Sequence, residues 1–185
     1  NSLGKPTPAM EKIYPSILYG KAIEYLNDHE ITKADELFSR IIADPNAGTK
    51  AAYANFWRGE IAYRQQQYND AVRYLNVFLQ SNLPPQGEAN RQAALYDLGY
   101  SKFQQEDYRS AATYFEQMVK NISAGSTARE NDAWLRSADP YFMQKDFAKA
   151  GGISDDALAS APPKTGVAIS QKAILPGQKN SAQKT

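Results

Sequence analysis

Residues 93–120 read AALYDLGYSKFQQEDYRSAATYFEQMVK, and this stretch decides the fold. It predicts two short amphipathic helices separated by a sharp QQED turn. The first carries Leu95, Leu98, Gly99, Ser101 and Phe103; the second carries Tyr108, Ala111, Ala112, Tyr114, Phe115, Met118 and Val119. Apolar and small residues recur at steps of three and four in both halves, as in a helix with one buried stripe. Gly99 and Ala111 mark where the pair crosses, because backbones approach closely only where side chains are tiny.

The same design recurs on both sides. Upstream, SILYGKAIEYLNDHE places Leu18, Ala22, Tyr25 and Leu26 on one face, and ITKADELFSRIIADP does so for Ala34, Leu37, Phe38, Ile41 and Ile42. AAYANFWRGEIAYRQQQ and YNDAVRYLNVFLQ follow, with Gly59, Ala62, Tyr68, Ala71, Leu75, Phe78 and Leu79. Downstream, NDAWLRSADPYFMQKDFAKA carries Trp134, Ala138, Tyr141, Phe142, Phe147 and Ala150. The second-helix alanine falls at Ala34, Ala71, Ala111 and Ala150, in steps of 37, 40 and 39 residues. Twelve places before each alanine stands a small residue (Ala22, Gly59, Gly99, Ala138), and three places before it Ile31, Tyr68, Tyr108 or Phe147. Prolines and glycines interrupt the period too often for a coiled coil.

Leu98-Gly99 in the first helix, Tyr108 opening the second, then Ala111 and an aromatic four residues later, resemble a tetratricopeptide repeat. The 34-residue unit of that family is lengthened here by the loops DPNAGTK, NLPPQGEANRQ and NISAGSTARE, where extra residues are tolerated. The resemblance covers residues 16 to about 162. It implies an all-α fold: an α-solenoid of about four helix-turn-helix hairpins in a right-handed superhelix, with a weak C-terminal helix or tail. The units fall at 16–46, 52–85, 92–122 and 131–162. Residues 1–15, with three prolines, read as an extended lead-in ended by Pro15, with Ser16 as the first N-cap. The fourth unit departs from the pattern at Pro140, inside its first helix, at Gly151-Gly152 in its second, and at Ser154, where Phe38, Leu75 and Phe115 stand in earlier units. Residues 163–185 read as a degenerate capping helix or a flexible tail. Within the superfamily, ENDAWLRSADPYFMQKDFAKA and the long loops resemble repeat proteins of Bacteroidetes cell envelopes. That narrower likeness implies a bacterial periplasmic or outer-membrane-associated protein, with the cytoplasm as the alternative.

Composition narrows the chemistry. Twenty-one basic residues against twenty acidic ones, in 185, give a net charge of +1 and no strong attraction to nucleic acid or acidic lipid. Four lysines and no acid follow Ser160, so the preceding body is about neutral to slightly acidic. Cysteine is absent, which excludes disulfides, zinc thiolate sites and a thiol nucleophile. No apolar run reaches the length of a membrane helix. The chain opens at Asn1 rather than methionine, as after signal-peptide removal or excision from a longer chain. His29, the only histidine, sits in a polar NDHE turn and reads as a solvated turn residue. Glu30, Asp35 and Glu36 read as acids that cap the start of a helix and complement its dipole. Gly59 and Gly99 are isolated inside helices, so no phosphate loop is formed. Arg58, Arg64, Arg73 and Arg91 are interleaved with acids, so no basic face exists for nucleic acid. Neither a cofactor nor a metal is implied.

The remaining candidate is the concave groove that the resemblance implies, lined by the first helix of each unit. Carried over by pattern, it takes Tyr19, Ile23 and Leu26; Tyr53, Phe56, Glu60, Tyr63 and Arg64; Tyr96, Tyr100, Phe103 and Gln104; and Leu135, Asp139, Phe142 and Met143. The residues expected to carry binding are Tyr19, Phe56, Glu60, Tyr63, Arg64, Tyr96, Tyr100, Gln104 and Asp139. Tyrosine gives broad amphipathic contact at low entropic cost, which suits a peptide or a helix. The Lys/Asn/Arg cluster with which some such arrays clamp a C-terminal carboxylate is missing; only Asn27, Arg64 and Arg136 come near it. The expectation is a non-enzymatic scaffold for a protein or peptide partner, in a cell-envelope complex and without membrane insertion. The alternative is a docking module for a catalytic or membrane part of a larger chain.

Overall fold

A computed structural model describes residues 7–120, 136–137 and 139–143. The described residues form seven helices: α1 (Pro8–Asn27), α2 (Ile31–Ala43), α3 (Thr49–Arg64), α4 (Tyr68–Ser81), α5 (Arg91–Gln104), α6 (Tyr108–Val119) and α7 (Asp139–Met143). The fold is an all-α helical repeat, and the chain divides into two compact units, Asn1–Asp97 and Leu98–Thr185.

In the first unit α1 packs on α2, α2 on α3, and α3 on α4. Ala34 and Ala71, the repeat alanines, are fully buried, as are Ala22, Phe38 and Leu75. The close approach falls on the small residue of the first helix. A Cβ at Gly59 would stand 2.5 Å from Cγ of Leu75. In the second unit a Cβ at Gly99 would stand 2.7 Å from Cε1 of Phe115. Both pairs are sixteen positions apart, and Ala22 and Phe38 share that spacing. The crossing thus sets a small residue beneath the large side chain one turn beyond the alanine, rather than beneath the alanine itself.

The turns between paired helices repeat as closely as the helices. His29, Gln66 and Glu106 each adopt φ of 60°, the left-handed region. Their N–H groups donate to the carbonyls of Leu26, Tyr63 and Phe103 at 3.1, 2.9 and 3.0 Å. The next N–H groups, of Glu30, Gln67 and Asp107, reach Tyr25, Ala62 and Lys102 at 2.8, 2.8 and 3.0 Å. This paired closure satisfies carbonyls that the helix end would otherwise orphan. His29 is an exposed turn residue, as expected.

Three expectations about local structure are corrected. The first helix begins at Pro8, not Ser16: Thr7 caps it, its Oγ1 accepting from the Met10 N–H at 3.3 Å, and Pro8 occupies the first helical position. Pro15 therefore lies inside α1, with its ring fully buried. It forgoes one helix bond, to the Glu11 carbonyl. Pro140 is likewise misread as a helix-interior proline. Helix α7 starts at Asp139, so Pro140 sits in its first turn, where no N–H is needed. Finally, Glu30 holds the N-cap position of α2 but makes no side-chain cap, and Asp35 lies beyond the first turn. Glu30 pairs with Lys33, and Asp35 receives Arg58 from α3 through two bonds, Nε to Oδ1 at 2.7 Å and Nη2 to Oδ2 at 3.1 Å. Arg58 also lies 4.6 Å from the Tyr74 ring centroid, so one guanidinium ties α2, α3 and α4 together. The expectations for Gly151-Gly152, Ser154 and residues 163–185 lie outside the described residues.

Candidate functional site

Helices α1 and α3, the first helices of their hairpins, lie in contact within the first unit. Between them opens a hollow of about 390 Å³. Ile23 and Leu26 from α1, and Trp57, Glu60, Ile61 and Arg64 from α3, line it, with Asn27, His29, Ile31, Gln65 and Glu88 completing the wall. The α3 residues stand at i, i+3, i+4 and i+7, one face of a helix.

The floor is aromatic. Trp57 donates its indole N–H to the Tyr19 hydroxyl at 2.9 Å, and its ring stacks on Phe38 at 6.5 Å and 13°. It meets Phe56 edge-on, with centroids 5.2 Å apart. These contacts fix the indole, leaving it half-buried. Burial pushes the Tyr19 phenol above its usual pKa, against the opposing effect of the Trp57 N–H and with a further push from nearby Tyr53. The Lys50 ammonium lies over both rings, 4.7 Å from the Tyr19 centroid and 5.9 Å from that of Tyr53. Tyr53 is tied down at its far end, its hydroxyl donating to the Pro84 carbonyl at 2.8 Å.

One ion pair crosses the rim. The Glu60 side chain is 4% exposed and that of Arg64 59%. Nε and Nη2 of Arg64 reach the same carboxylate oxygen at 2.9 and 2.7 Å. The acid is held inside the wall while its cation faces solvent. The hollow can therefore accept an apolar group against Ile23, Leu26, Trp57 and Ile61, beside a charged edge.

The expected site residues divide. Glu60 and Arg64 meet in this hollow, joined by Ile23 and Leu26. Phe56 is fully buried, packed on Phe78 at 5.1 Å, and is withdrawn from the partner-facing set. Tyr19 and Tyr53 are also buried; they support the floor rather than offering a surface. Tyr63 and Tyr96 are half-buried. In the second unit Tyr100 packs edge-on against Phe115 at 5.8 Å and carries Arg136 at 5.8 Å from its ring. Arg136 pairs with Asp139 at 3.5 Å, so the cation links Tyr100 to Asp139. Gln104 is exposed at the end of α5. Trp57, with Ile61 beside it, is an apolar wall residue of α3 missing from the expected groove set. Its spacing of three and seven to Glu60 and Arg64 marks one face, but Phe56 stands four and seven from Glu60 and Tyr63, so α3's pattern alone does not choose between them.

Among the described residues no three His, Cys, Asp or Glu side chains gather as a metal site, and no helix is long and apolar enough to cross a membrane. The family model for the tetratricopeptide repeat matches residues 19–86 and 96–164, each stretch close to two 34-residue units. No curated protein matches the chain.

Proposed function

The chain belongs to the tetratricopeptide repeat family, and from that premise we propose that it is a non-enzymatic scaffold taking a partner polypeptide on the α1–α3 face. Repeats of this family mediate protein–protein interaction. The observation carrying the finer reading is the hollow between α1 and α3, with its apolar walls and fixed indole. An apolar side chain of the partner enters there, and Arg64 at the rim meets the polar backbone or an acid beside it. Its size is that of an ordinary small-ligand or side-chain pocket. Tyr63 and Tyr96 extend the contact as amphipathic aromatics.

Partners captured from the native cell by the wild-type chain, by Leu26→Glu, and by Tyr63→Ala with Tyr96→Ala test this reading, with folding checked by circular dichroism. Leu26→Glu sets a charge in the apolar wall and should abolish capture; a truncated hot-spot tyrosine commonly costs about 2 kcal/mol or more. Arg73→Glu, on exposed α4 surface, should leave capture intact. Unchanged capture by both groove variants would overturn the reading, and loss with Arg73→Glu would move the site to the opposite face. We also place the protein in a bacterial cell-envelope complex, on the likeness of residues 130–150 to envelope repeat proteins. Recovery of the protein solely in the cytosolic fraction of its native cell would remove that placement.

A further inference from the structure

Helix α1 carries two apolar faces. One, with Pro15, Leu18, Tyr19 and Ala22, is buried. On the far side, Met10, Ile13, Tyr14 and Ile17 stand at i, i+3, i+4 and i+7 and are 59, 57, 44 and 61% exposed. Water-facing runs of this kind on a helix are uncommon without a partner. The face is held in shape: Arg40 of α2 donates to the Tyr14 hydroxyl at 2.7 Å. A hollow of about 480 Å³ opens beside it, bordered by Glu11 and by Asp44 and Asn46 from the end of α2.

We propose that this face is a homodimer interface, on which α1 of a second copy lies antiparallel. The charges around the stripe select that occupant and that orientation. Acids Glu11 and Asp44 border its N-terminal end. Lys21 and Glu24, paired at 2.7 Å, continue the same face at its C-terminal end. An antiparallel copy centred between Tyr14 and Ile17 sets Tyr14 against the partner copy's Ile17 position, and each Lys21 beside the other copy's Glu11. A parallel copy would set like charge on like. Gly20 fits the same geometry: it is exposed, a Cβ there would meet nothing within 4 Å, and no local turn requires a glycine. Its bare backbone lies at the edge of the stripe, opposite the other copy's Glu11 in this register, and leaves room there. The contact is self-complementary, as a two-fold interface must be.

Four half-exposed side chains per copy make a small interface, so the dimer is weak. Sedimentation velocity on the full chain, from about 10 µM to about 1 mM, should show a reversible monomer–dimer equilibrium. Ile17→Glu should leave a monomer throughout. Lys21→Glu should weaken association about tenfold, and adding Glu11→Lys to it should restore much of the loss. Circular dichroism confirms that each variant remains helical. A wild-type chain that stays monomeric across the range overturns the proposal. So does a dimer indifferent to Ile17→Glu, while failure of the paired charge swap to restore association overturns the antiparallel register.

Discussion

Gly59 lies directly beneath Leu75: a Cβ on the glycine would stand 2.5 Å from Cγ and 2.7 Å from Cδ2 of the leucine. Gly59→Ala therefore sets two effects against each other. Alanine gains about 1 kcal/mol of helix propensity, while forcing an extra carbon into a filled crossing typically costs about 1–3 kcal/mol. Cγ is the branch point of Leu75, not a movable tip, and its backbone N lies 3.3 Å from the same point, so overpacking wins. Urea unfolding should show a net loss of about 1 kcal/mol. In a double-mutant cycle with Leu75→Ala the loss should vanish or reverse, because the truncated side chain vacates the space. Additive effects would show that the crossing does not hold these two in contact.

Ala111 is fully buried in the second unit. Ala111→Leu adds three carbons there and should cost about 1–3 kcal/mol. An unchanged denaturation midpoint would sink the assigned repeat register.

The left-handed turns make a prediction of opposite sign. Gln66 holds φ of 60° with a side chain that disfavours it. Gln66 is exposed, so little packing is lost on replacement. Gln66→Gly should raise stability by about 0.5–1 kcal/mol, the relief of backbone strain outweighing glycine's extra unfolded-state entropy. Gln66→Val, β-branched at the same position, should lower it. Thermal unfolding of the pair, read side by side, checks both directions.

Much of this architecture was legible because its determinants are local and repeated. Small residues at Ala22, Gly59 and Gly99 stand sixteen places before Phe38, Leu75 and Phe115, so crossing, turn and register echo one another along the chain. Glu60 and Arg64 were legible as one face of α3 for the same reason. Phe56 and Trp57 were not separable: neighbours on a helix point about 100° apart, and both directions are apolar here. Which of them meets core and which meets the hollow is settled by packing of α2 and α4, not by α3's own pattern. The early start of α1 was hidden by Pro15, which reads as a stop but lies inside the helix with its ring buried, at the loss of one backbone bond. Asp35 resembled a helix-start acid until Arg58, twenty-three residues away, claimed it. Long-range ion pairs of that kind leave no periodic trace.

Asp107 supplies the pH-dependent prediction. It caps α6, its Oδ1 accepting from the Ser110 N–H at 3.2 Å, and Lys102 approaches Oδ2 at 3.2 Å. Hydrogen bonding from Ser110 holds its carboxyl below the usual aspartate value; Lys102 adds to this, and partial desolvation opposes it. A folded-state pKa below the unfolded one means that the unfolded chain takes up the proton first as pH falls. The stabilisation is thus complete above the ordinary aspartate pKa and is lost as pH drops through the lowered folded value. Asp107→Ala should cost about 1 kcal/mol at neutral pH, the usual worth of an N-cap. Asp107→Asn, which keeps an acceptor but no charge, should cost less at neutral pH and remove the acid dependence. Urea titrations of the three proteins at pH 7 and pH 3 separate these effects: the gap between wild type and Asp107→Ala should narrow at the lower pH. A gap of equal size at both would mean that the cap's charge contributes nothing to the stability of α6.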